Sequence, residues 1–293
     1  MIQNAYLSVN RITLITAIFF SSFAVSAQRN PKPKLPGSDY QNFLKTQWWL
    51  GLRFGTNIAQ PNPVSRYTSI SPIDYELEDL DKTYSEFNLP GIFIGLDLSF
   101  YYHGFSIGLQ PSFKQMRYGY VNNLDWIGDV PTQNFSTQYD VEQRVSYIEL
   151  PISVKYEIIK KGKIRPFILA GMHYSFVVGA DKHTDITHTD YSTGEPRPYS
   201  GGSVSLNTKD QFQNYYGALG GIGTGFDFFN IRTVLEVTYM YGLSSITDTN
   251  SRNTTTELTT LGEVNDDLKL NQINISLSFV FPLRYIDKTF QPY

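Results

Sequence analysis

His173 and Ser175 stand two residues apart in a segment where every second residue is small or polar. A serine hydrolase needs a hydroxyl, an imidazole and an acid within hydrogen-bonding reach, so this pair must be considered as catalytic. An extended strand would place both side chains on one face, but no group that could stabilise an oxyanion is evident. The other interpretation is a simple hydrogen-bonded polar pair. We expect the protein not to be an enzyme, and a hydrolase using His173 is the alternative.

A second polar group, residues 181–190 (DKHTDITHTD), brings His183 and His188 close to three aspartates. Imidazole and carboxylate groups bind divalent cations, but their spacing here matches no structural or catalytic metal motif. A solvated acidic loop is the other interpretation. The chain also has no Cys, which excludes disulfides, thiol nucleophiles and Cys-ligated metals. We therefore predict neither a metal nor a cofactor.

A third group is a set of glycines that superficially resembles a nucleotide-binding loop: Gly217, Gly220, Gly221, Gly223 and Gly225. A dinucleotide site needs a strand, then the glycines, then a helix. Here the glycines continue the period of a strand, and they would make room for large neighbours or permit curvature. The net charge of −3 gives no indication of a basic surface, so nucleic acid is not an expected partner.

The elements that position these residues are predicted to be strands, because the sequence alternates with a period of two. Residues 104–114 set Phe105, Ile107, Leu109 and Phe113 against small and polar residues, and residues 231–241 and 272–281 alternate in the same way. Such alternation over ten residues indicates an extended strand with one apolar face.

Eight segments of this kind occur, at 47–58, 91–102, 104–118, 143–157, 164–178, 211–228, 230–243 and 269–283. Their connections alternate in length, with short turns at 102–104, 158–163 and 229–230, and long polar stretches at 59–90, 119–142, 179–210 and 244–268. An even number of strands with every long connection at one end is typical of an up-and-down barrel in an outer membrane. We predict an all-β, eight-stranded antiparallel up-and-down transmembrane β-barrel.

A soluble eight-stranded barrel of lipocalin type also alternates, and it is the structural competitor. Such a barrel has no reason to place all its long loops at one end. Aromatic residues also cluster at the predicted strand ends, as interface girdles require. The clusters are Trp48 with Trp49, Phe100 with Tyr101 and Tyr102, Phe228 with Phe229, and Tyr239 with Tyr241.

The polar face of the strands would line the lumen, and it carries four acids and four bases. These are Arg53, Asp97, Lys114, Glu149, Lys155, Asp227, Arg232 and Glu236. An eight-stranded lumen is only wide enough for side chains to fill it, and unpaired buried charges are very costly. We therefore predict an ion-paired plug that closes the barrel. A narrow conduction path or a catalytic cluster is the alternative.

Residues 1–27 are predicted to be a signal peptide, with Arg11 before an apolar run from Ile12 to Val25 and cleavage near Ala27. A single membrane anchor is the alternative, but about 14 apolar residues fall short of the ~20 that a spanning helix needs. Residues 28–46 would be a flexible periplasmic lead-in, 47–285 the barrel, and 286–293 a C-terminal tail.

Residues 147–156 (YIELPISVKY), followed by a short basic turn and RPFILAG at 165–171, resemble the PorT-type outer-membrane β-barrel family of the Bacteroidetes. Residues 220–226 (GGIGTGF) and 236–246 (EVTYMYGLSSI) resemble the same family's sixth and seventh strands. The resemblance implies a location in the bacterial outer membrane. The family's named member assists the type IX secretion system, and its relatives share no catalytic residues.

We therefore expect a non-enzymatic barrel that acts in binding or envelope assembly. Its partners would be outer-membrane lipid and envelope or secretion-system proteins, contacted through the outer loops or the periplasmic rim. An accessory subunit of type IX protein secretion or gliding is a second hypothesis.

Overall fold

The structure, a computed structural model, describes residues 46–67, 82–159, 163–228, 231–251 and 264–283. The chain divides into two units, Met1–Gln41 and Asn42–Tyr293, and every described residue belongs to the second. The predicted signal peptide, the lead-in up to residue 45 and the tail at 286–293 lie outside the described residues. Within the described ranges no helix is long and apolar enough to cross a membrane.

The described residues form eleven strands, which follow the predicted alternation of side chains. In chain order they are β1 (Thr46–Ser65), β2 (Thr83–Tyr84), β3 (Pro90–Tyr102), β4 (Phe105–Leu109), β5 (Ser112–Trp126), β6 (Phe135–Glu157), β7 (Ile164–Asp190), β8 (Arg197–Asn207), β9 (Tyr215–Phe228), β10 (Ile231–Gly242) and β11 (Asp267–Pro282).

Eight antiparallel strands close into a ring, in the order β1, β3, β4 with β5, β6, β7, β9, β10 and β11, and β11 pairs back onto β1. Strands β4 and β5 act as one, because both pair with β3 and β6 on either side of the break at Gln110 and Pro111. The remaining two strands lie outside the ring order, β2 beside β5 and β8 beside β7. The predicted eight-stranded up-and-down barrel is confirmed.

The short connections all lie at one end of the barrel. The tightest joins β3 to β4 through His103 and Gly104, which both have positive φ, at 49° and 95°. Two consecutive residues with positive φ match the right-handed twist of the flanking strands, which explains a two-residue hairpin here. We call the opposite end, where the long connections lie, the outer end.

The prediction that residues 119–142 and 179–210 are long loops is wrong, because much of both stretches is strand. β5 continues to Trp126 and β6 begins at Phe135, and β7 runs without a break to Asp190 before β8 pairs with it. The paired parts of these four strands that project past the barrel wall, within 119–142 and 181–207, are called the outer sheet. Their outward residues face water and are polar, so the sequence lacks the apolar face that marks the barrel strands.

A belt of apolar side chains surrounds the barrel, and aromatic residues border it on both sides. At the short-turn end the exposed rings are Trp48, Tyr102, Phe105, Tyr156 and Phe228, with Phe100 half-buried against Trp48, and toward the outer end they are Tyr174, Phe176, Tyr216, Tyr239 and Tyr241. Trp49 and Tyr101, predicted to belong to the girdle, point inward instead, because alternation sends neighbours of Trp48 and Tyr102 into the lumen.

Two glycines of β9 make space for large inward side chains of the neighbouring strand β7. A Cβ atom on Gly217 would lie 2.4 Å from Nε2 of His173, and one on Gly223 would lie 2.4 Å from the ring of Phe167. Any larger residue at these positions would collide with β7. These glycines therefore belong to a barrel strand that packs around bulky lumen residues.

Candidate functional site

The lumen nearest the short turns holds a cluster of two acids and two arginines. Arg165 pairs with Glu157 at 3.2 Å and with Asp227 at 2.7 Å, and Arg232 pairs with the same two carboxylates at 3.2 and 2.5 Å. The hydroxyl of Tyr101 donates a hydrogen bond of 3.0 Å to Glu157. Each guanidinium thus bridges two carboxylates, a geometry that suits its fork of donors.

The middle of the lumen is centred on Glu236, which accepts from two bases. Arg53 lies 2.9 Å and Lys155 lies 2.7 Å from its two carboxylate oxygens. Lys155 also lies 3.9 Å from Asp97, whose carboxylate accepts a hydrogen bond of 2.8 Å from Gln110. All of these charges are therefore paired inside the barrel.

A third pair, Lys114 and Glu149, lies further toward the outer end. The Lys114 ammonium donates to both oxygens of Glu149 at 2.7 Å, and to the side-chain oxygens of Gln272 and Asn274 at 3.2 and 3.3 Å. Because the pair is fully buried, these amide oxygens satisfy donors that water cannot reach. The ten charged residues of these three clusters are called the lumen network.

His173 and Ser175 lie beyond this pair and are enclosed. Nδ1 of His173 lies 3.3 Å from the Ser175 hydroxyl, and its Nε2 has no hydrogen-bond partner among the described residues. His173 is 3% exposed and Ser175 is fully buried, and the ring of Tyr215 packs edge-on against the imidazole at 5.4 Å. An imidazole and a hydroxyl are brought together as predicted, but in a closed interior.

Toward the outer end the lumen network gives way to a larger cluster of buried apolar side chains. The buried residues of this upper core are Ala59, Met116, Tyr118, Tyr120, Tyr139, Val141, Val145, Tyr147, Ala180, Ile186, Phe212, Tyr215, Ile246, Leu268 and Leu270. The upper core is lined by inward residues of strands from around the barrel and by Phe212 and Ile246 from the outer connections.

A buried ion pair between Lys82 and Asp266 lies at the outer end. The Lys82 ammonium donates to the Asp266 carboxylate at 2.9 Å and to the backbone carbonyls of Tyr67 and Val264. Tyr84 donates to the other oxygen of Asp266 at 2.8 Å. This pair joins segments that are distant in the sequence, and no alternation pattern pointed to it.

All eight charged residues that the sequence analysis assigned to the lumen lie inside the barrel and take part in the pairs described above. Glu157 and Arg165 were not among the predicted residues, although they belong to the same network. Glu157 lies two residues after Lys155 and Arg165 two residues before Phe167, so both side chains point inward like these neighbours. The alternation alone could therefore have predicted them. With them the network has five acids and five bases.

His183 and His188, predicted to lie in a loop, are strand residues on opposite faces of β7. His183 is exposed, lies 2.7 Å from the Ser205 hydroxyl and 3.5 Å from Asp185. Nδ1 of His188 lies 2.9 Å from the Thr137 hydroxyl. Among the described residues, no group of three or more His, Asp or Glu side chains is arranged to hold a metal ion.

A small cavity remains in the lumen network, beside Trp49, Lys155 and Glu157. Its volume is about 30 Å³, which is room for about one or two water molecules. The ring of Trp49 lies against it and stacks on the Arg232 guanidinium at 4.5 Å. Around this cavity the lumen is occupied by the buried, paired side chains of the lumen network, and the buried residues of the upper core follow toward the outer end.

Residues 27–248 match the sequence profile of a family described as outer membrane protein beta-barrel domain. No curated protein is significantly similar to the chain. Similar solved structures include Neisserial surface protein A (9% identity, TM-score 0.33, covering 79% of this chain and 96% of that one). Others are Ail of Yersinia pestis (12%, 0.31, 80% and 99%) and OprG from Pseudomonas aeruginosa (12%, 0.39, 82% and 97%).

Proposed function

The chain belongs to the outer membrane protein β-barrel domain family, and we propose that it is a non-enzymatic barrel with a closed lumen that acts in binding or envelope assembly. Its location is the bacterial outer membrane. The observation that carries the proposal is the filled interior. Since side chains occupy it from the lumen network to the upper core, the surfaces open to a partner are the outer end and the short-turn rim.

The absence of enzyme activity is part of this proposal and is supported by the placement of His173. A general base must reach the proton it abstracts from a bound substrate. His173 and Ser175 are buried among Tyr215, Lys114 and Glu149. A hydrolase at this site would need the barrel to open, so replacing His173 by Ala should leave the protein's cellular role intact.

Conductance in a planar lipid bilayer tests the closed lumen. We expect the purified chain to show no unitary conductance at ordinary voltages. A variant with Arg53→Ser, Lys155→Ser and Glu236→Ser should show none either, because the clusters on both sides of Glu236 and the upper core still close the barrel. Steady conductance from the unmodified chain would contradict a closed barrel.

Copurification from native outer membrane in mild detergent tests the binding role. A narrower form of the proposal, an accessory subunit of type IX protein secretion or gliding, is supported by the resemblance of residues 147–171 and 220–246 to the PorT-type family. Recovery of secretion subunits would favour it, whereas recovery of other envelope proteins would favour a different assembly. Recovery of the chain alone at every detergent condition would contradict assembly through protein partners.

A further inference from the structure

Four ring-bearing residues form a row across the inward face of the outer sheet, one on each of its strands. Trp126 of β5 pairs in register with Phe135 of β6, and His188 of β7 pairs with Tyr199 of β8. The His188 ring lies between those of Phe135 and Tyr199, with centroid distances of 5.4 Å to Phe135 and 5.3 Å to Tyr199. The row spans about 14 Å at the usual distance between neighbouring strands.

A bulge in β8 brings Tyr199 onto this face. Ile186 pairs with Gly202 and Thr187 pairs with Ser200, so Gly201 is an extra residue and the alternation of β8 shifts by one. Without the bulge Tyr199 would point to the opposite face. A Cβ atom on Gly201 would lie 2.5 Å from Nε2 of His188, so only glycine lets the imidazole lie this close.

Three of the four rings are exposed and His188 is half-buried, although the row below them on the same face is buried. Trp126 is 62% exposed, Tyr199 is 50% and Phe135 is 37%, whereas Tyr139 and Ile186 belong to the upper core. Nδ1 of His188 lies 2.9 Å from the Thr137 hydroxyl, which fixes the plane of the imidazole. Exposed aromatic side chains on a rigid sheet are enriched at binding surfaces, because they present large contact areas at a low cost in conformational entropy.

The charged residues in register with the row are one acid and one base, which favours an uncharged ligand. Asp190 pairs in register with Phe135 on one side and with Arg197 on the other, so one acid and one base share this face. Ser192 donates two hydrogen bonds of 2.8 Å to Asp190, which hold the pKa of that carboxyl below its ordinary value. A neutral ligand with apolar C–H faces and many hydroxyls fits rings interspersed with such donors and acceptors, whereas a polyanion or polycation would gain nothing.

We propose that Trp126, Phe135, His188 and Tyr199 form a platform that binds the pyranose rings of a neutral glycan at the outer end. This inference deepens the proposed binding role and rests on it. The sugar faces stack on the exposed rings, and their hydroxyls exchange hydrogen bonds with Asp190 and Arg197.

Titration of the full chain in phosphatidylcholine nanodiscs tests the platform. The probes are maltohexaose, cellohexaose, laminarihexaose and chitohexaose, measured by calorimetry and by tryptophan fluorescence. The other tryptophans, Trp48 and Trp49, lie at the short-turn end, so a fluorescence change that Trp126→Phe abolishes reports on the platform. We expect saturable binding of at least one probe.

Trp126→Ala and Tyr199→Ala should each weaken that binding by about tenfold, the scale of one aromatic contact. Ile127→Ala is the matched control, because Ile127 is the exposed apolar neighbour of Trp126 and has no ring, and its affinity should stay within about twofold. Circular dichroism and the gel shift between heated and unheated samples check that each variant folds.

Three results would overturn the glycan proposal. The first is that no probe binds, and the second is that binding is unchanged in both alanine variants. The third is that these variants instead abolish a concentration-dependent dimer in sedimentation, which would assign the platform to a second copy of the chain. None of these results alters the conductance or copurification experiments, so the proposed function is judged separately.

Discussion

From the short turns to the middle of the barrel, ten charged side chains are paired in the lumen beside a smaller apolar cluster, whereas at the outer end the larger apolar core accompanies a single buried ion pair that the structure describes, Lys82 with Asp266. In the first region Glu236 lies between Arg53 and Lys155, with both bases within 2.9 Å. In the second, Met116, Tyr147 and Leu270 are fully buried against other apolar side chains. The same strands line both regions, so the strand architecture does not by itself dictate the chemistry of the interior.

The difference follows from what surrounds each region. Where the outward face meets hydrocarbon it must be apolar, so polar residues are confined to the lumen and have to pair there. Where the outward face meets water, apolar residues move inside and form an ordinary core. On β7 the change coincides with a bulge, since Ser146 pairs with Gly179 and Tyr147 pairs with Val177, and Val178 is the extra residue. Before the bulge the odd-numbered residues of β7, such as Ser175, point into the barrel, and after it the even-numbered ones, such as Lys182, do.

Removing the central acid should have the largest effect in the charged region. Glu236→Ala would leave Arg53 and Lys155 without their shared partner, and we expect a loss of about 3–5 kcal/mol in the free energy of unfolding. Reversible denaturation from detergent or lipid measures it. Asp140→Ala, which removes an exposed carboxylate of the outer sheet, is the control and should cost at most about 0.5 kcal/mol. Equal effects would mean that water enters the lumen and solvates the two bases.

A cavity in the upper core should cost somewhat less. Met116 is fully buried there, and Met116→Ala should lower the free energy of unfolding by about 2–4 kcal/mol through lost contacts and the void that remains. The bilayer should still show no conductance, because the lumen network is untouched. Conductance through the Met116→Ala variant would contradict this prediction, because it would mean that the lumen network alone does not close the barrel.

Alternation alone was enough to predict the ring and the eight lumen charges, because hydrocarbon outside forces a strict pattern on the strands. It failed beyond the belt, where polar outward residues such as Asp181, His183 and Asp185 were interpreted as a loop. An outer sheet surrounded by water reverses the pattern and keeps only single apolar residues such as Ile186 inside. Polarity by itself therefore could not distinguish a solvated strand from a loop.

The aromatic row and the girdle show a second limit of the sequence-based prediction. The strands were predicted, but not the face to which some of their aromatic side chains point. Trp49 and Tyr101 are aromatic residues at strand ends, yet parity sends them into the lumen, where both rings lie over the Arg232 guanidinium. Tyr199 reaches the face of His188 only because Gly201 is an extra residue in its strand. A bulge shifts every later side chain to the other face, and the sequence marks it by no more than a glycine pair.

Two buried tyrosines near the boundary of the regions allow a finer test. Tyr147 and Tyr215 are both fully buried, with ring centroids 5.1 Å apart. The Tyr215 hydroxyl accepts a hydrogen bond of 2.7 Å from Gln272, whereas the Tyr147 hydroxyl has no partner among the described residues. Tyr215→Phe should therefore cost about 1–2 kcal/mol, and Tyr147→Phe should be neutral or stabilising by up to about 1 kcal/mol. Unfolding measured on both variants under one condition gives the comparison, and a larger loss for Tyr147→Phe would contradict it.

The smallest expected effect lies on the water-exposed surface just beyond the belt, where charge pairing is no longer enforced by burial. Arg117 donates to Glu142 at 2.9 Å and Arg144 lies 3.3 Å from the same oxygen. The hydrogen bond from Arg117 holds the pKa of Glu142 below its ordinary value of 4.5, although partial burial opposes this, and Arg144 adds to the shift. A carboxyl whose pKa is lowered on folding stabilises the protein above that ordinary value, and the contribution is lost as the pH falls through the lowered pKa.

Glu142→Gln should therefore lower the free energy of unfolding by about 0.5 kcal/mol at neutral pH, and less at high salt, because the pair is partly exposed and screened. The gap between the variant and the unmodified chain should narrow below about pH 4.5 and close in stronger acid, where both carry an uncharged side chain. Parallel denaturation series at several pH values measure this. A gap of several kcal/mol, or one that persists in strong acid, would show that Glu142 is held as firmly as Glu236, and the contrast between paired lumen charges and solvated surface charges would then fail.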